Sequence, residues 1–276
     1  MTKSTLAMLV FLMLFAFMGF SCQNKTQSSN LPVDDIYADE VIENNSESKD
    51  ASIPTSDVIN AFYDAIMAND SQKVQHLLET EYPASYEPQD KITPLQAAIW
   101  NDNLVLVKVL VEKGAAINSK VRSAILEAAE YNRFEILEYL LENTNDIDDT
   151  AFNHAGFHQF YQGAKLLLIK GAPQENGDVR GKLWVFHRAV EKSDYEVLNR
   201  LHLSSDDFNY NDYNGETALI IAVRNGDLKM VEFLLDQGVD KNKPETFDGG
   251  DDIYYGQLPI QIAADKNFED IIQVLK

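Results

Sequence analysis

A pattern of two short helices recurs seven times between residues 57 and 276, and this repeat constrains the fold more than any other feature of the chain. In its clearest copy, residues 215–242, apolar side chains recur at spacings of three and four, with Gly226 between the two sets and Gly238 after them. Such spacing places each set on one face of a helix, and the glycines mark turns. Because two short helices cannot cover both apolar faces within one unit, we expect the units to stack on one another.

Alanine occupies the same register in all seven units, twelve residues before a leucine that marks the second helix. The alanines are Ala65, Ala98, Ala128, Ala155, Ala189, Ala222 and Ala263, and the leucines are Leu77, Leu110, Leu140, Leu167, Leu201, Leu234 and Leu275. Where helices of adjacent units pack at about 8–10 Å, only a small side chain fits at the closest approach. Seven unrelated amphipathic helix pairs would leave the shared alanine unexplained, so the sequence predicts a stack in which these alanines are aligned.

Two units carry most of the residues of a known repeat type. One has Thr93, Pro94, Leu95, Ala98, Leu104, Val107, Leu110, Gly114, Ala115 and Asn118, and the other has Asp212, Gly215, Thr217, Leu219, Ala222, Gly226, Val231, Leu234, Leu235, Gly238 and Asn242. In these residues, in their layout and in a period near 33 residues, the repeating units resemble the ankyrin repeat. The resemblance covers roughly residues 57–276. The resemblance implies an all-α, ankyrin-type α-solenoid of about seven helix-pair repeats, with a concave groove that binds other proteins.

Two departures from regular spacing indicate loops of unusual length. A 27-residue step shortens the loop at residues 143–150, and a 41-residue step inserts residues 243–254, which contain Asp248, Asp251 and Asp252. Insertions in repeat proteins fall in loops, often on the binding face. Carboxylates with glycines can bind Ca²⁺, but the spaced acidic pattern and closing glutamate of an EF-hand are missing. A solvated acidic loop is the favoured interpretation, both here and for residues 145–149.

Residues 1–22 have the composition of a targeting segment. Lys3 precedes an uncharged, mostly apolar run from Leu6 to Phe20, which is short for a membrane span and has small residues near its end, before Cys22. This arrangement resembles a bacterial lipoprotein signal peptide over residues 1–21. The resemblance implies lipidation of Cys22, and Gln23 after it favours the outer membrane facing the periplasm, with surface exposure left open. An ordinary secretory signal and an uncleaved anchor are the alternatives.

Charge limits the partners of the chain. Residues 22–56 are strongly acidic and poor in apolar side chains, so we expect a disordered tether that starts at lipidated Cys22 and ends at the repeat domain, residues 57–276. The whole chain has a formal net charge of −21, which disfavours nucleic acid and is compatible with a basic or mixed-charge protein partner. Cys22 is the only cysteine, so no intrachain disulfide can form.

Catalytic motifs do not stand out, and the sequence predicts a non-enzymatic protein without cofactor or metal. The nucleophile-elbow, P-loop and dinucleotide-binding patterns are missing, although the members of a Ser-His-Asp triad are rarely neighbours and that alternative stays open. His154 and His158, four residues apart, can bind zinc when a third ligand converges, but polar surface or structural roles are favoured. For His187 the resemblance implies a structural hydrogen bond between repeats.

The predicted groove is lined by positions two and three residues after the shared alanines. The residues expected there are Trp100, Asn101, Tyr131, Phe157, His158, Lys192, Arg224 and Asn225. Because Trp, Tyr and Arg dominate interface hot spots, this stripe predicts a protein-binding scaffold in the bacterial cell envelope. In the alternative, Trp100 and Phe157 only pack against adjacent helices. Two other functions stay open, an inhibitor or immunity-type protein that masks a toxin or hydrolase, and an enzyme built on the three histidines.

Overall fold

The computed structural model describes residues 53–89, 91–119, 122–248, 250 and 253–276. The predicted signal peptide at residues 1–21, Cys22 and the acidic segment up to residue 52 lie outside the described residues. The carboxylates of the insertion, those of Asp248, Asp251 and Asp252, also lie outside the described part of the structure.

The described residues form fifteen helices and one two-stranded hairpin. In chain order these are α1 (Ser56–Met67), α2 (Ser71–Thr80), α3 (Pro94–Trp100), α4 (Leu104–Glu112), α5 (Ala124–Glu130), α6 (Phe134–Glu142), α7 (Ala151–Phe157), α8 (Tyr161–Ile169), α9 (Val179–Glu191), α10 (Tyr195–Leu198), α11 (Ser205–Phe208), α12 (Ala218–Arg224), α13 (Leu228–Asp236), β1 (Thr246–Asp248), β2 (Ile253–Tyr255), α14 (Pro259–Asp265) and α15 (Glu269–Leu275). Seven helix–turn–helix pairs account for all of the helices except the single turn α11. None of the helices in the described part of the chain has the length and apolar character that crossing a bilayer requires.

The seven alanines lie at the contacts between successive first helices. Each is at most 2% exposed, and α1, α3, α5, α7, α9, α12 and α14 pack on one another in that order. This arrangement confirms the predicted α-solenoid of helix pairs, and the burial of every shared alanine agrees with a need for small side chains at this register. The core runs through the whole stack, since each unit buries its apolar faces against its neighbours.

The turn between the two helices has the same backbone conformation in all seven units. Four residues after each alanine the backbone φ is positive, between 52° and 67°, at Asn69, Asp102, Asn132, Gln159, Ser193, Gly226 and Asn267. The next backbone N–H donates to the carbonyl of the alanine, with N–O distances of 2.8–3.1 Å. From the sequence, the turn was predicted at Gly226 and, in the first unit, at residues 69–71. It is not evident in the other units, because their left-handed residue is not glycine.

The fifth unit departs from the prediction in its second helix. Helix α10 ends at Leu198, and Leu201, which was expected to mark that helix, lies half-buried beyond it. The buried side chain of Gln174 explains the early end, because its Nε2 donates to the carbonyl of Arg200 at 2.9 Å and its Oε1 accepts from the amide of His202 at 2.9 Å. Both bonds fix the backbone around Leu201 in a non-helical conformation.

The described residues of the insertion include two short strands, where the sequence predicted a solvated acidic loop. Strands β1 and β2 pair antiparallel, with Thr246 opposite Tyr255. The amide of Thr246 donates to the carbonyl of Gly215 in the preceding loop at 2.9 Å, and a β-carbon on Gly215 would lie 1.6 Å from the carbonyl oxygen of Thr246. Glycine at position 215 therefore allows the hairpin to approach the sixth unit.

Candidate functional site

A cleft of about 570 Å³ crosses the fourth, fifth and sixth units. Its walls come from the end of α7, the exposed side of α9, the loop at residues 210–216 and the end of α12. Its lining combines four aromatic side chains with three arginines and three carboxylates. These are Phe157, Trp184, Tyr210, Tyr213, Arg180, Arg188, Arg224, Glu191, Asp212 and Glu216.

Helix α9 supplies one wall because it is longer than the other first helices of the cleft. It has 13 residues, whereas α7 and α12 have 7 each, and it presents Arg180, Trp184 and Arg188 at successive spacings of four. Arg180 and Trp184 lie in its additional N-terminal turns. That spacing places the three side chains on one face. The Arg188 guanidinium lies 5.4 Å from the centre of the Trp184 ring and forms an ion pair with Glu191, so the wall is held by contacts along the helix.

The loop at residues 210–216 forms the opposite wall and is fixed by a carboxylate. Asp212 Oδ1 accepts from the amides of Asn214 and Glu216, at 2.9 Å each, and closes a tight turn. Tyr213, at the tip of this turn, is 77% exposed. Behind it, buried His187 lies with Nε2 3.1 Å from the carbonyl of Tyr210 and Nδ1 2.9 Å from that of Leu183. The contact with Tyr210 joins two successive units, as the family resemblance implies for this histidine.

The cleft is balanced in charge although the chain is strongly acidic. Its lining has three arginines and three carboxylates, whereas the whole chain has a formal net charge of −21. Burial raises the pKa of the Glu216 carboxyl; the nearby Arg224 guanidinium opposes that rise, and the charges of Asp212 and Glu191 add to it. A ligand with charges of both signs therefore fits this lining better than a polycation does.

Arg224 has an internal role beside its place in the cleft. Its Nη1 lies 2.9 Å from Glu216 Oε1, and its Nη2 forms an ion pair with Glu245, whose side chain is buried. Glu245 directly precedes β1, so Arg224 connects α12 to the inserted hairpin. Its guanidinium stabilises the fold as well as lining the cleft.

The structure brings only part of the predicted groove together in this cleft. Of the eight predicted residues, Phe157, Arg224 and Asn225 line it. Arg180 lies over the Phe157 ring, 5.1 Å from its centre. Lys192 instead lies over the ring of Tyr161, 5.7 Å from its centre.

Trp100, Asn101 and Tyr131 lie together on the second and third units. The rings of Trp100 and Tyr131 are 5.9 Å apart, and Trp100 Nε1 donates to the buried carboxylate of Glu127. Asn101 Nδ2 donates to the carbonyl of Ile66 in the preceding unit at 2.9 Å. Both polar groups therefore contribute to contacts within the stack.

His158, the remaining groove residue, belongs to a cluster with His154 and Glu130. The two imidazole rings are 4.5 Å apart, and His154 Nε2 lies 3.3 Å from Glu130 Oε2. Burial lowers the pKa of His154 and outweighs the opposing contact with Glu130. Burial alone would raise the pKa of Glu130, but the Arg122 guanidinium and the His154 contact lower it.

Sequence reasoning missed Trp184, Arg188 and Tyr213, which line the cleft. Trp184 and Arg188 precede the shared alanine Ala189, whereas the predicted groove includes only positions after the shared alanines. The recurrence of Arg180, Trp184 and Arg188 every four residues was the signal that could have found the wall on α9. Tyr213 gave no such signal, because it lies in a loop whose position depends on contacts between units.

Comparison with known proteins identifies the repeat. The family model described as ankyrin repeats in three copies matches residues 62–151 and 186–276, about two thirds of the chain. Among solved structures, the ankyrin repeat domain of human ASB11 aligns with a TM-score of 0.49 and 15% sequence identity, covering 78% of this chain and 97% of that one.

Curated relatives match over limited segments. Ankyrin repeat and KH domain-containing protein mask-1 of Caenorhabditis elegans is 26% identical over 157 residues, which are 55% of this chain and 6% of that protein. A fowlpox virus ankyrin repeat protein is 33% identical over 115 residues, 41% of this chain and 24% of its own length. An L-asparaginase of Dirofilaria immitis is 35% identical over 83 residues, 30% of this chain and 13% of the enzyme. Each of these three matches spans less than a quarter of the relative.

Proposed function

The chain belongs to the ankyrin repeat family, and we propose that it is a non-enzymatic scaffold that is tethered to a bacterial membrane and binds a protein partner in the cell envelope. Ankyrin repeats are generally protein-binding scaffolds rather than enzymes.

The cleft across units four to six is the observation that carries the proposal. It has a volume of about 570 Å³ and combines Trp184, Tyr210 and Tyr213 with arginines on both sides. Aromatic residues and arginine supply most of the binding energy at protein interfaces. Because the walls are helices and a hydrogen-bonded turn, little conformational entropy is lost when a partner binds. We infer that the cleft takes a protein segment with an aromatic or aliphatic side chain between charges of both signs.

The tether rests on the sequence alone. The apolar run before Cys22 and the acidic segment after it support export, lipidation of Cys22 and a flexible connection to the repeat domain. One acyl chain gives only reversible membrane binding, whereas two or more anchor a protein stably. The outer membrane, facing the periplasm, is the proposed location.

Crosslinking followed by pull-down from membranes tests the cleft. The full-length chain is compared with Tyr213→Ala, which removes a highly exposed ring from the cleft, and with Tyr255→Ala, which removes a similarly exposed ring from the inserted hairpin. We expect the main crosslinked protein to be lost from Tyr213→Ala and retained by Tyr255→Ala. Identical sets of crosslinked proteins for all three chains would contradict binding at this cleft.

Membrane attachment is tested separately with Cys22→Ala. We expect wild type to incorporate labelled palmitate and to fractionate with membranes, and the variant to lose the label and to be released. Wild type without label, or a variant that stays with the membrane, would contradict the proposed anchor and leave the cleft result unaffected.

A further inference from the structure

Three metal-ligating side chains converge where the third unit meets the fourth. One ligand atom from each of Glu130, His154 and His158 lies within 4.8 Å of the other two, and all three residues are half-buried. Glu130 is the last residue of α5, His154 belongs to α7, and His158 directly follows α7. Since α5 packs on α7, the spacing of the three groups is set by helix packing rather than by a loop.

The donor set indicates which ion fits. Two imidazole nitrogens and one carboxylate suit Zn²⁺, whereas Ca²⁺ and Mg²⁺ prefer oxygen ligands alone. A second cavity of about 190 Å³ borders both histidines, though not Glu130, and provides space beside the two imidazoles. We propose that Glu130, His154 and His158 form a Zn²⁺ site that joins the third and fourth units.

Arg122 is the cation that a metal ion would have to replace. Its Nη2 forms an ion pair with Glu130 and lies 3.2 Å from His154 Nε2. Its Nε lies 3.2 Å from the buried carboxylate of Glu127, so the guanidinium keeps a partner when Nη2 leaves Glu130. Arg122 and Zn²⁺ therefore compete for the same carboxylate, and removal of Arg122 strengthens metal binding.

The site is tested by calorimetric titration of the full-length chain with ZnCl₂. In a second experiment, Co²⁺ replaces Zn²⁺ and its visible absorption reports the coordination. We expect one Zn²⁺ per chain and at least about a tenfold loss of affinity in His154→Ala. His158→Gln, beyond the end of α7, gives the same loss and guards against misfolding in the first variant. His202→Ala is the matched control, because this exposed histidine also contacts a carboxylate, that of Glu175 at 3.0 Å.

The response of Arg122→Met distinguishes a metal site from a purely structural cluster. We expect this variant to bind Zn²⁺ several-fold more tightly than wild type, since it removes the competing positive charge. Absence of stoichiometric Zn²⁺ binding by wild type, or an equal loss of affinity in His202→Ala, would overturn the proposal. Weaker Zn²⁺ binding by a correctly folded Arg122→Met variant would contradict competition between Arg122 and Zn²⁺ for the Glu130 carboxylate.

Discussion

The backbone of Gly181 in α9 lies directly against the carbonyl group of Asn153 in α7. A β-carbon on Gly181 would lie 1.8 Å from that carbonyl oxygen, and one on Gly156 would lie 2.3 Å from the carbonyl oxygen of Gly181. Glycines therefore act together with the shared alanines at the contact between units four and five: Gly156 directly follows Ala155, and Gly181 lies eight residues before Ala189. This close approach places α9 so that its exposed side forms one wall of the cleft.

Gly181→Ala is expected to destabilise the stack. The added methyl group has to push α7 and α9 apart, and overpacking of this kind costs roughly 1–3 kcal/mol of unfolding free energy. Chemical denaturation, monitored by circular dichroism, measures this loss of unfolding free energy. Val179→Ala is the control, since Val179 is exposed at the start of the same helix and its truncation changes stability by less than about 0.5 kcal/mol. Equal stability of the two variants would contradict the close contact.

Asn153→Ala is expected to loosen the loop between α8 and α9. The buried amide donates to the carbonyls of Gln174 and Asn176, at 2.8 and 2.7 Å, and accepts from the amide of Lys182 at 2.9 Å. Leaving such buried groups without partners costs roughly 1–3 kcal/mol. Hydrogen exchange of residues 170–182 is expected to accelerate in this variant. The exposed Asn176 serves as control, and an equal acceleration in Asn176→Ala would argue against the role of Asn153.

Arg224→Ala is expected to destabilise the protein even without any binding partner. The substitution leaves Glu245, which is 4% exposed, without its counter-charge, and the expected loss is roughly 1–3 kcal/mol. Adding Glu245→Gln should recover part of this loss, because it removes the buried charge. A double variant as unstable as the sum of the two single variants would show that the pair is not coupled. Binding experiments at the cleft are therefore cleaner with Tyr213→Ala than with Arg224→Ala.

Asp194 is expected to make stability depend on pH. Burial alone would raise the pKa of its carboxyl, but hydrogen bonds from Lys165 and Tyr161, at 2.8 and 3.0 Å, outweigh burial and lower it. A folded-state pKa below the unfolded value of about 3.9 means that the stabilisation is present above about pH 4 and lost as pH falls through the folded-state pKa.

Asp194→Asn should therefore lower the unfolding free energy at pH 7 by roughly 1–3 kcal/mol, and the difference from wild type should shrink towards pH 3. Urea denaturation at both pH values measures this. Asp227→Asn is the control at the same register of the next unit, where asparagine caps a helix as well as aspartate does. A difference for Asp194→Asn that is constant with pH would rule out the ionic contribution.

The parts of the fold that could be predicted from the sequence are those that depend on interactions repeated within or between neighbouring units. The helix pairs and their alanine register were readable because every pair of adjacent first helices imposes the same steric demand at the same position. The short α10 was not readable, because the side chain of Gln174, more than twenty residues earlier, holds the backbone around Leu201. The inserted hairpin likewise depends on its contact with Gly215.

The stack of helix pairs can be read from the order of the amino acids, since the period, the apolar spacing and the small residues all act within one unit or between similar neighbours. The positions of the cleft and of the histidine cluster depend instead on how the units pack. Trp184, Tyr213 and Arg224 reach one cleft, and Glu130 reaches the two histidines of the next unit, although neither set forms a sequence motif. Side chains on different units meet at distances set by how closely the helices pack, and that closeness depends on glycines and buried polar contacts distributed along the chain.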